Sequence, residues 1–228
     1  MNRFLLILAL VVCSLVLPAQ TYFRVGYVAN HYNMMNYDKM IDRYNETRPW
    51  LTTKMPYMKW MTGPDIGIGV RFDNGGGGEF FFRTAWATVS ASGTDSSGVP
   101  TTRYLQAKEG GIGGVIYVRV AGPVYMSFDG EISVFKSKTK VDAEDYRLKD
   151  KTFSIGITPG LKIILGHGWF TPIIHIYYAC PFVNVGHENT WAELDPNNFA
   201  NEDKKIFFTH HRHFGVGVSF ELGRPAEN

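Results

Sequence analysis

The feature that most limits what this chain can become is a two-residue alternation that returns, segment after segment, with the same chemistry. In "PDIGIGVRF", Ile66, Ile68, Val70 and Phe72 share one parity, while Asp65, Gly67, Gly69 and Arg71 share the other. A period of two means a strand whose two faces meet unlike surroundings. "EFFFRTAW" sets Phe80, Phe82 and Trp86 against Glu79, Phe81, Arg83 and Ala85. "EGGIGGVIYVRV" sets Ile112, Ile116, Val118 and Val120 against Glu109, Gly111, Gly113, Tyr117 and Arg119. "PVYMSFDGEISVF" follows, with Phe128 and Ile132 opposed to Asp129 and Glu131, then "TFSIGITPGLKIIL", with Lys162 on the polar parity, and "HFGVGVSFEL", with Glu221 there. Two less regular segments, 22–30 and 169–182, complete a set of eight.

A soluble sandwich also alternates, but its polar face should be rich in Lys, Thr and Ser. Here that face is glycine, small residues and charges of both signs. A narrow barrel lumen asks for this, because side chains converge inside it while the apolar face meets lipid. With 24 glycines and 14% aromatics in 228 residues, the composition fits one all-β domain. The connections at 74–78, 121–123 and 166–169 are short, whereas 30–60, 91–101, 137–149 and 183–205 are long. The expectation is an all-β, eight-stranded antiparallel up-and-down transmembrane β-barrel with short periplasmic turns and long extracellular loops. On the outward parity, Phe72, Phe80, Phe170 and Phe220 lie beside the short turns, and Trp86, Phe153, Tyr178 and Phe208 lie toward the long ones, as two interfacial belts would.

The first residues carry Arg3, an apolar run over 4–17 and Ala19 before Gln20, the pattern of an export signal over 1–19, with the barrel over 20–228. The run is shorter than the ~20 residues of a spanning helix. Val12 before Cys13 argues against lipidation. Without the signal, Lys+Arg falls from 23 to 22 against 21 Asp+Glu, so no basic excess points to nucleic acid. Cys180 then stands alone and forms no internal disulfide.

The export signal, the eight segments, "GITPGLKIIL" at 156–165 and the terminal "HFGVGVSFEL" together resemble the small outer-membrane β-barrel family, the eight-stranded type seen in the transmembrane domain of outer membrane protein A and carried by many Bacteroidota. In the last segment, His213, Gly215, Val218 and Phe220 match the polar, glycine, apolar, aromatic spacing of the family's C-terminal assembly signal. The resemblance implies a bacterial outer-membrane location and insertion by the barrel-assembly machinery, and it implies no activity, since this fold hosts many.

On the inward parity, Arg24, Arg71, Arg83, Arg119 and Lys162 face Asp65, Glu79, Glu109, Asp129, Glu131 and Glu221. Charges in so narrow a lumen must pair, which reads as an ion-pair plug; the competing reading is a gated conduction path. Asp73 and Glu79 are expected to face each other across the glycine turn, making Arg71 the diagonal partner of Glu79. His175 points inward, and "THHRHF" carries His210, His211 and His213. His211 and His213 share a side, near enough to hold a metal. No Cys or carboxylate spacing accompanies them, so the run reads as interfacial and hydrogen-bonding, and no metal or cofactor is expected.

Ser219 is too far from His211 to be activated by it, and neither G-x-S-x-G nor H-E-x-x-H occurs. In the first long loop, Tyr37, Met40, Ile41 and Tyr44 follow helical spacing before Pro49, leaving open a short helix over the mouth or a loop packed on itself. Asn45 begins a sequon that a bacterial protein would not ordinarily use. The expected role is non-enzymatic, structural or surface-interacting, with membrane lipid, the assembly machinery and an extracellular ligand or protein as partners. Three alternatives stand beside it: a porin-like narrow pore or small-solute transporter, a lipid-modifying enzyme, and a soluble periplasmic barrel with Ile66, Ile68, Val70 and Phe72 turned into a ligand cavity.

Overall fold

The computed structural model describes residues 19–72, 75–95, 97–166, 168–196 and 207–223. The predicted signal, apart from Ala19, lies outside them, as does Asp73. Eight long strands run up and down in chain order: β1 Ala19–Tyr32, β2 Trp60–Phe72, β3 Gly76–Thr94, β4 Pro100–Ala121, β5 Val124–Val141, β6 Arg147–Ile164, β7 Phe170–Pro181 and β8 His213–Gly223. Each pairs antiparallel with the next, and β8 returns to β1 from Tyr22↔Gly223 to Tyr32↔His213, closing the sheet. Closure leaves no edge strand, the condition on which strands can cross hydrocarbon.

The outer surface is apolar in a continuous row. Phe220, Val25, Ile66, Phe82, Ile112, Ile132 and Ile155 are paired directly from strand to strand through seven of the eight strands. Each is at least 40% exposed, whereas Arg24, Asp65, Arg71, Glu79 and Lys162 on the opposite parity are buried. Water would not tolerate that arrangement, and lipid requires it. The soluble-barrel alternative, which turned Ile66 and Ile68 into a cavity, is overturned by their facing.

The walls are unequal. Strands β3 to β6 have 19, 22, 18 and 18 residues, well beyond the ~9–11 that a tilted spanning strand needs. The connections expected as long loops at 91–101 and 137–149 are therefore mostly strand. Pairing runs out to Thr94↔Pro100 and Thr139↔Arg147, leaving between the strands only short connections, the second of them 142–146. The cause is a change of faces along one strand. Low in β3–β5 the inward side chains are charged and the outward ones apolar; higher up, Ala85, Ala91, Leu105, Ala107 and Phe135 point inward and are buried, while Lys108, Lys136 and Lys138 share the outward parity. The upper wall has the facing of a soluble protein.

What that wall encloses is a helical cap. The helical reading of the first loop is the one realised: α1 spans Met35–Glu46 and buries Tyr37, Met40, Ile41 and Tyr44. The shorter α2, Glu188–Leu194, buries Trp191 and Leu194. Both belong to one core with Tyr32, Met55, Met58, Met61 and the inward residues of the upper wall.

The glycine run divides. Gly75 takes a φ of +84° in the turn, which suits glycine alone. Gly76–Gly78, expected within the turn, instead begin β3. There a Cβ on Gly77 would stand 2.2 Å from the Tyr117 ring, so this glycine makes room for a lumen tyrosine.

Candidate functional site: a charged lumen beneath an apolar cap

From the short-turn end upward, the lumen is filled in layers. At the bottom, Tyr22, Tyr117, Tyr125, Ile164 and Ile173 form a small buried cluster. Beside it, the Arg71 guanidinium donates to Glu221. Above lies the densest charge contact. Arg24 grips Asp65 with two bonds, at 2.7 and 3.0 Å, and donates to Glu79 Oε1 from Nε at 2.9 Å and from a terminal nitrogen at 2.7 Å. The other Glu79 oxygen accepts from Tyr22 at 3.0 Å and Lys162 at 3.4 Å. A fork that matches two carboxylates at once is the arginine geometry best able to offset desolvation.

The next layer is looser. Arg83 lies 3.7 Å from Asp129 and 3.6 Å from Glu131, and its guanidinium stacks over the rings of Phe81 and Tyr177, each at 4.6 Å. Ser127 Oγ and His175 Nε2 are 3.1 Å apart. This Ser–His pair, which the sequence did not reveal, has no space for a substrate. A Cβ on the facing Gly160 would already be 2.8 Å from His175 and 2.9 Å from Ser127.

At the top of the lumen, Tyr177 donates to Asn30 at 2.6 Å and Tyr32 donates to Glu109. His211 Nδ1 stands 3.4 Å from Glu109 Oε1, and His213 Nδ1 stands 3.3 Å from the His211 carbonyl, to which it can donate. All three of Glu109, His211 and His213 are buried. The cap packs into the barrel above this layer. Tyr37 of α1 and Thr190 of α2 both hydrogen-bond Ser137 on β5, at 2.9 and 2.8 Å. Asp150 on β6 accepts from the Asn189 and Thr190 amides at 3.1 and 2.8 Å, holding the first turn of α2. Glu193 accepts from Arg103 at 2.9 Å and Lys149 at 3.0 Å. Partial burial raises the Glu193 carboxyl, but those two cations outweigh it and hold the group below its ordinary value.

Several expected placements change. Arg71 does not pair with Glu79: three of the glycines belong to the strand, so Arg71 lies opposite Gly77 and Glu79 opposite Gly69, and although the two remain diagonal neighbours, Arg71 turns to Glu221 while Glu79 is taken by Arg24 and Lys162. Arg119 is not in the lumen network. It stands near the end of β4, exposed, and donates to the Gly122 carbonyl at 2.8 Å in the adjoining turn. Val70, on the outward parity, sits two residues from the end of β2. In β8, His213 and Gly215 face inward and Val218 and Phe220 outward. Tyr117, read on the inward parity, is found there; the inward tyrosines Tyr22 and Tyr177 and the residue pair Asn30 and Tyr32 were missed, and their parity, shared with the charges, is the signal that could have found them.

Near the rim at the capped end, a cavity of about 440 Å³ is lined by His31, Asn36, Tyr178, Arg212, His213 and Phe214 among others. No protein-family model matches this chain, and no curated protein does. Among solved structures it is similar to Ail, the attachment invasion locus protein of Yersinia pestis, in complex with the heparin analogue sucrose octasulfate. The TM-score is 0.48 at 11% identity, covering 90% of this chain and 98% of that one. It is similar also to Neisserial surface protein A, with a TM-score of 0.44 at 8% identity, covering 90% and 97%. Identity this low says nothing about ligand or activity.

Proposed function

We propose that this chain is a non-enzymatic protein of the bacterial outer membrane, a sealed barrel whose role is structural and surface-interacting. The observation that carries the reading is the packing of α1 and α2 into the upper barrel, above a lumen already filled by paired charges. An eight-stranded barrel leaves an interior that side chains can fill. The ion pairs act as a plug: Arg24 bridges β2 and β3 carboxylates, and Lys162 ties the same Glu79 to the far wall.

Membrane lipid is the partner of the outer face. Lys108, Lys136 and Lys151 stand directly paired across β4, β5 and β6, with Lys108 over Trp86 and Lys151 over Phe153. Like charges side by side repel, and headgroup phosphates at the upper interface would relieve them. The residues His213, Gly215, Val218 and Phe220 serve as the signal read by the barrel-assembly machinery. The rim cavity beside Arg212 and Tyr178 offers the surface for an extracellular ligand or protein.

Membrane fractionation with heat-modifiable gel migration tests the location, and swelling of proteoliposomes in small sugars tests the seal. Retention in the outer-membrane fraction without swelling supports the reading. Sugar-dependent swelling would replace it with the narrow-pore alternative.

A further inference from the structure

The charges of the lumen do not balance evenly along its height. In the lower part, Arg24, Arg71 and Lys162 meet Asp65, Glu79 and Glu221 one for one. In the upper part, Asp129, Glu131 and Glu109 have among the described lumen residues a single permanent cation, Arg83, and neither Asp129 oxygen receives a hydrogen bond. Glu109 is the member farthest from Arg83's reach, and two imidazoles stand where a cation would be expected. Donor atoms of Glu109, His211 and His213 all lie within 4.8 Å of one another.

His211 is 1% exposed, ringed by Tyr32 and Phe135 at 4.7 and 4.6 Å; among the described residues its Nε2 makes no hydrogen bond, and its Nδ1 has only the long 3.4 Å approach to Glu109 Oε1. An imidazole so enclosed, with Nε2 unbonded and only a long contact at Nδ1, is costly unless something occupies its lone pair. Around it the supporting bonds of a metal site are in place. His213 can give its Nδ1–H to the His211 carbonyl, leaving Nε2 as a ligand, and Tyr32 donates to the Glu109 oxygen Oε2, leaving Oε1 turned toward His211.

We propose that Glu109, His211 and His213 form a binding site for a divalent transition-metal ion of the zinc type, which fastens the chain entering β8 to the β4 wall beneath the cap. Two imidazoles and one carboxylate suit such an ion and do not suit calcium or magnesium, which take oxygen sets. With metal–ligand bonds of about 2.1 Å, tetrahedral donors sit roughly 3.4 Å apart, so separations of up to 4.8 Å need close by no more than about 1.4 Å. A route exists, since His213 lines the rim cavity that opens to the outside. The fourth position is left for water. The ion supplies the missing positive charge of the upper lumen and makes the entry to β8 rigid.

The test uses tag-free protein folded in detergent and stripped with a chelator, then titrated with Zn²⁺ by calorimetry at neutral pH. One ion per chain is expected, undisturbed by excess Ca²⁺ or Mg²⁺. His211→Ala and Glu109→Gln should each weaken binding at least ten-fold, while His210→Ala, an exposed neighbour, should leave it unchanged. Heat-modifiable migration reports whether each variant folds. X-ray absorption of the zinc-loaded wild type decides independently of the variants: two imidazoles with oxygen and no sulfur support the site. Absence of stoichiometric uptake, wild-type affinity in folded His211→Ala, displacement by Ca²⁺, or ligation by sulfur or a single imidazole would overturn it.

Discussion

The Arg71 guanidinium donates to the Glu221 carboxylate, joining β2 to β8 across the intervening β1 at the short-turn end of the lumen. Both side chains are buried. Arg71→Met therefore strands a carboxylate in the lumen and is expected to destabilise the barrel by about 3–5 kcal/mol. Adding Glu221→Gln should recover part of that loss, whereas adding Glu79→Gln should not, since Glu79 is held by Arg24 and Lys162. Reversible urea unfolding in detergent over the double-mutant cycle measures the coupling. Additive effects of Arg71 and Glu221 would contradict the pair.

Ile112 lies in the exposed apolar row, paired with Phe82 on one side and Ile132 on the other. Ile112→Arg is expected to cost about 2–4 kcal/mol, the penalty of an arginine at the hydrocarbon midplane. Val99 is as exposed, at 53%, but sits in the turn at the top of the β3–β4 extension, so Val99→Arg should change stability by less than about 0.5 kcal/mol. Equal unfolding midpoints for the two variants in lipid vesicles would count against the membrane level assigned to the wall.

A methyl group added inside the lumen is not a mild change. A Cβ on Gly69 would stand 2.5 Å from the Tyr22 ring and 2.6 Å from the Gly78 carbonyl, and backbone cannot step aside. Gly69→Ala is expected to destabilise by about 1–3 kcal/mol through overpacking. Gly130, exposed on β5, has nothing within 4 Å, and Gly130→Ala should be neutral or stabilising by up to about 1 kcal/mol. Thermal unfolding of the two single variants separates them.

Asp150, a buried carboxylate on a barrel strand, receives the leading amides of α2 and is one of the anchors that dock the helix, beside Ser137 at Thr190 and the cations at Glu193. Asp150→Ala should loosen the cap by about 1–3 kcal/mol while the membrane-level barrel stays folded. Hydrogen exchange should then rise in 188–194 and in Tyr37's helix, with little change in β1 or β8. Uniform exchange across the whole chain would mean that cap and barrel unfold as one unit.

How much of this was legible depended on whether a strand kept one environment along its length. From Asp65 to Arg71, and from Glu79 to Arg83, each face meets only lipid or only lumen, so parity alone assigned the charges. In β3–β5 the faces exchange character above the membrane. Leu105 and Phe135 continue the inward parity of Glu109 and Glu131, but as apolar groups, and a rule tuned to the lower pattern ends the strand too soon. The α1 contacts were legible from Tyr37, Met40, Ile41 and Tyr44, because helical spacing is local. The Glu109 partner of His211 was not, because 102 residues separate them and only closure of the sheet brings β4 and the start of β8 to one point. The Arg71 register failed for a local reason: nothing in four consecutive glycines states which one turns the chain.

Single-channel recording in planar bilayers tests the central claim most directly. The wild-type protein, inserted at one or a few copies, should show no reproducible unitary steps across the accessible voltage range, because the Arg24, Asp65 and Glu79 layer and the α1–α2 cap both close the path. Regular, ion-selective steps from the intact wild type would contradict the sealed barrel.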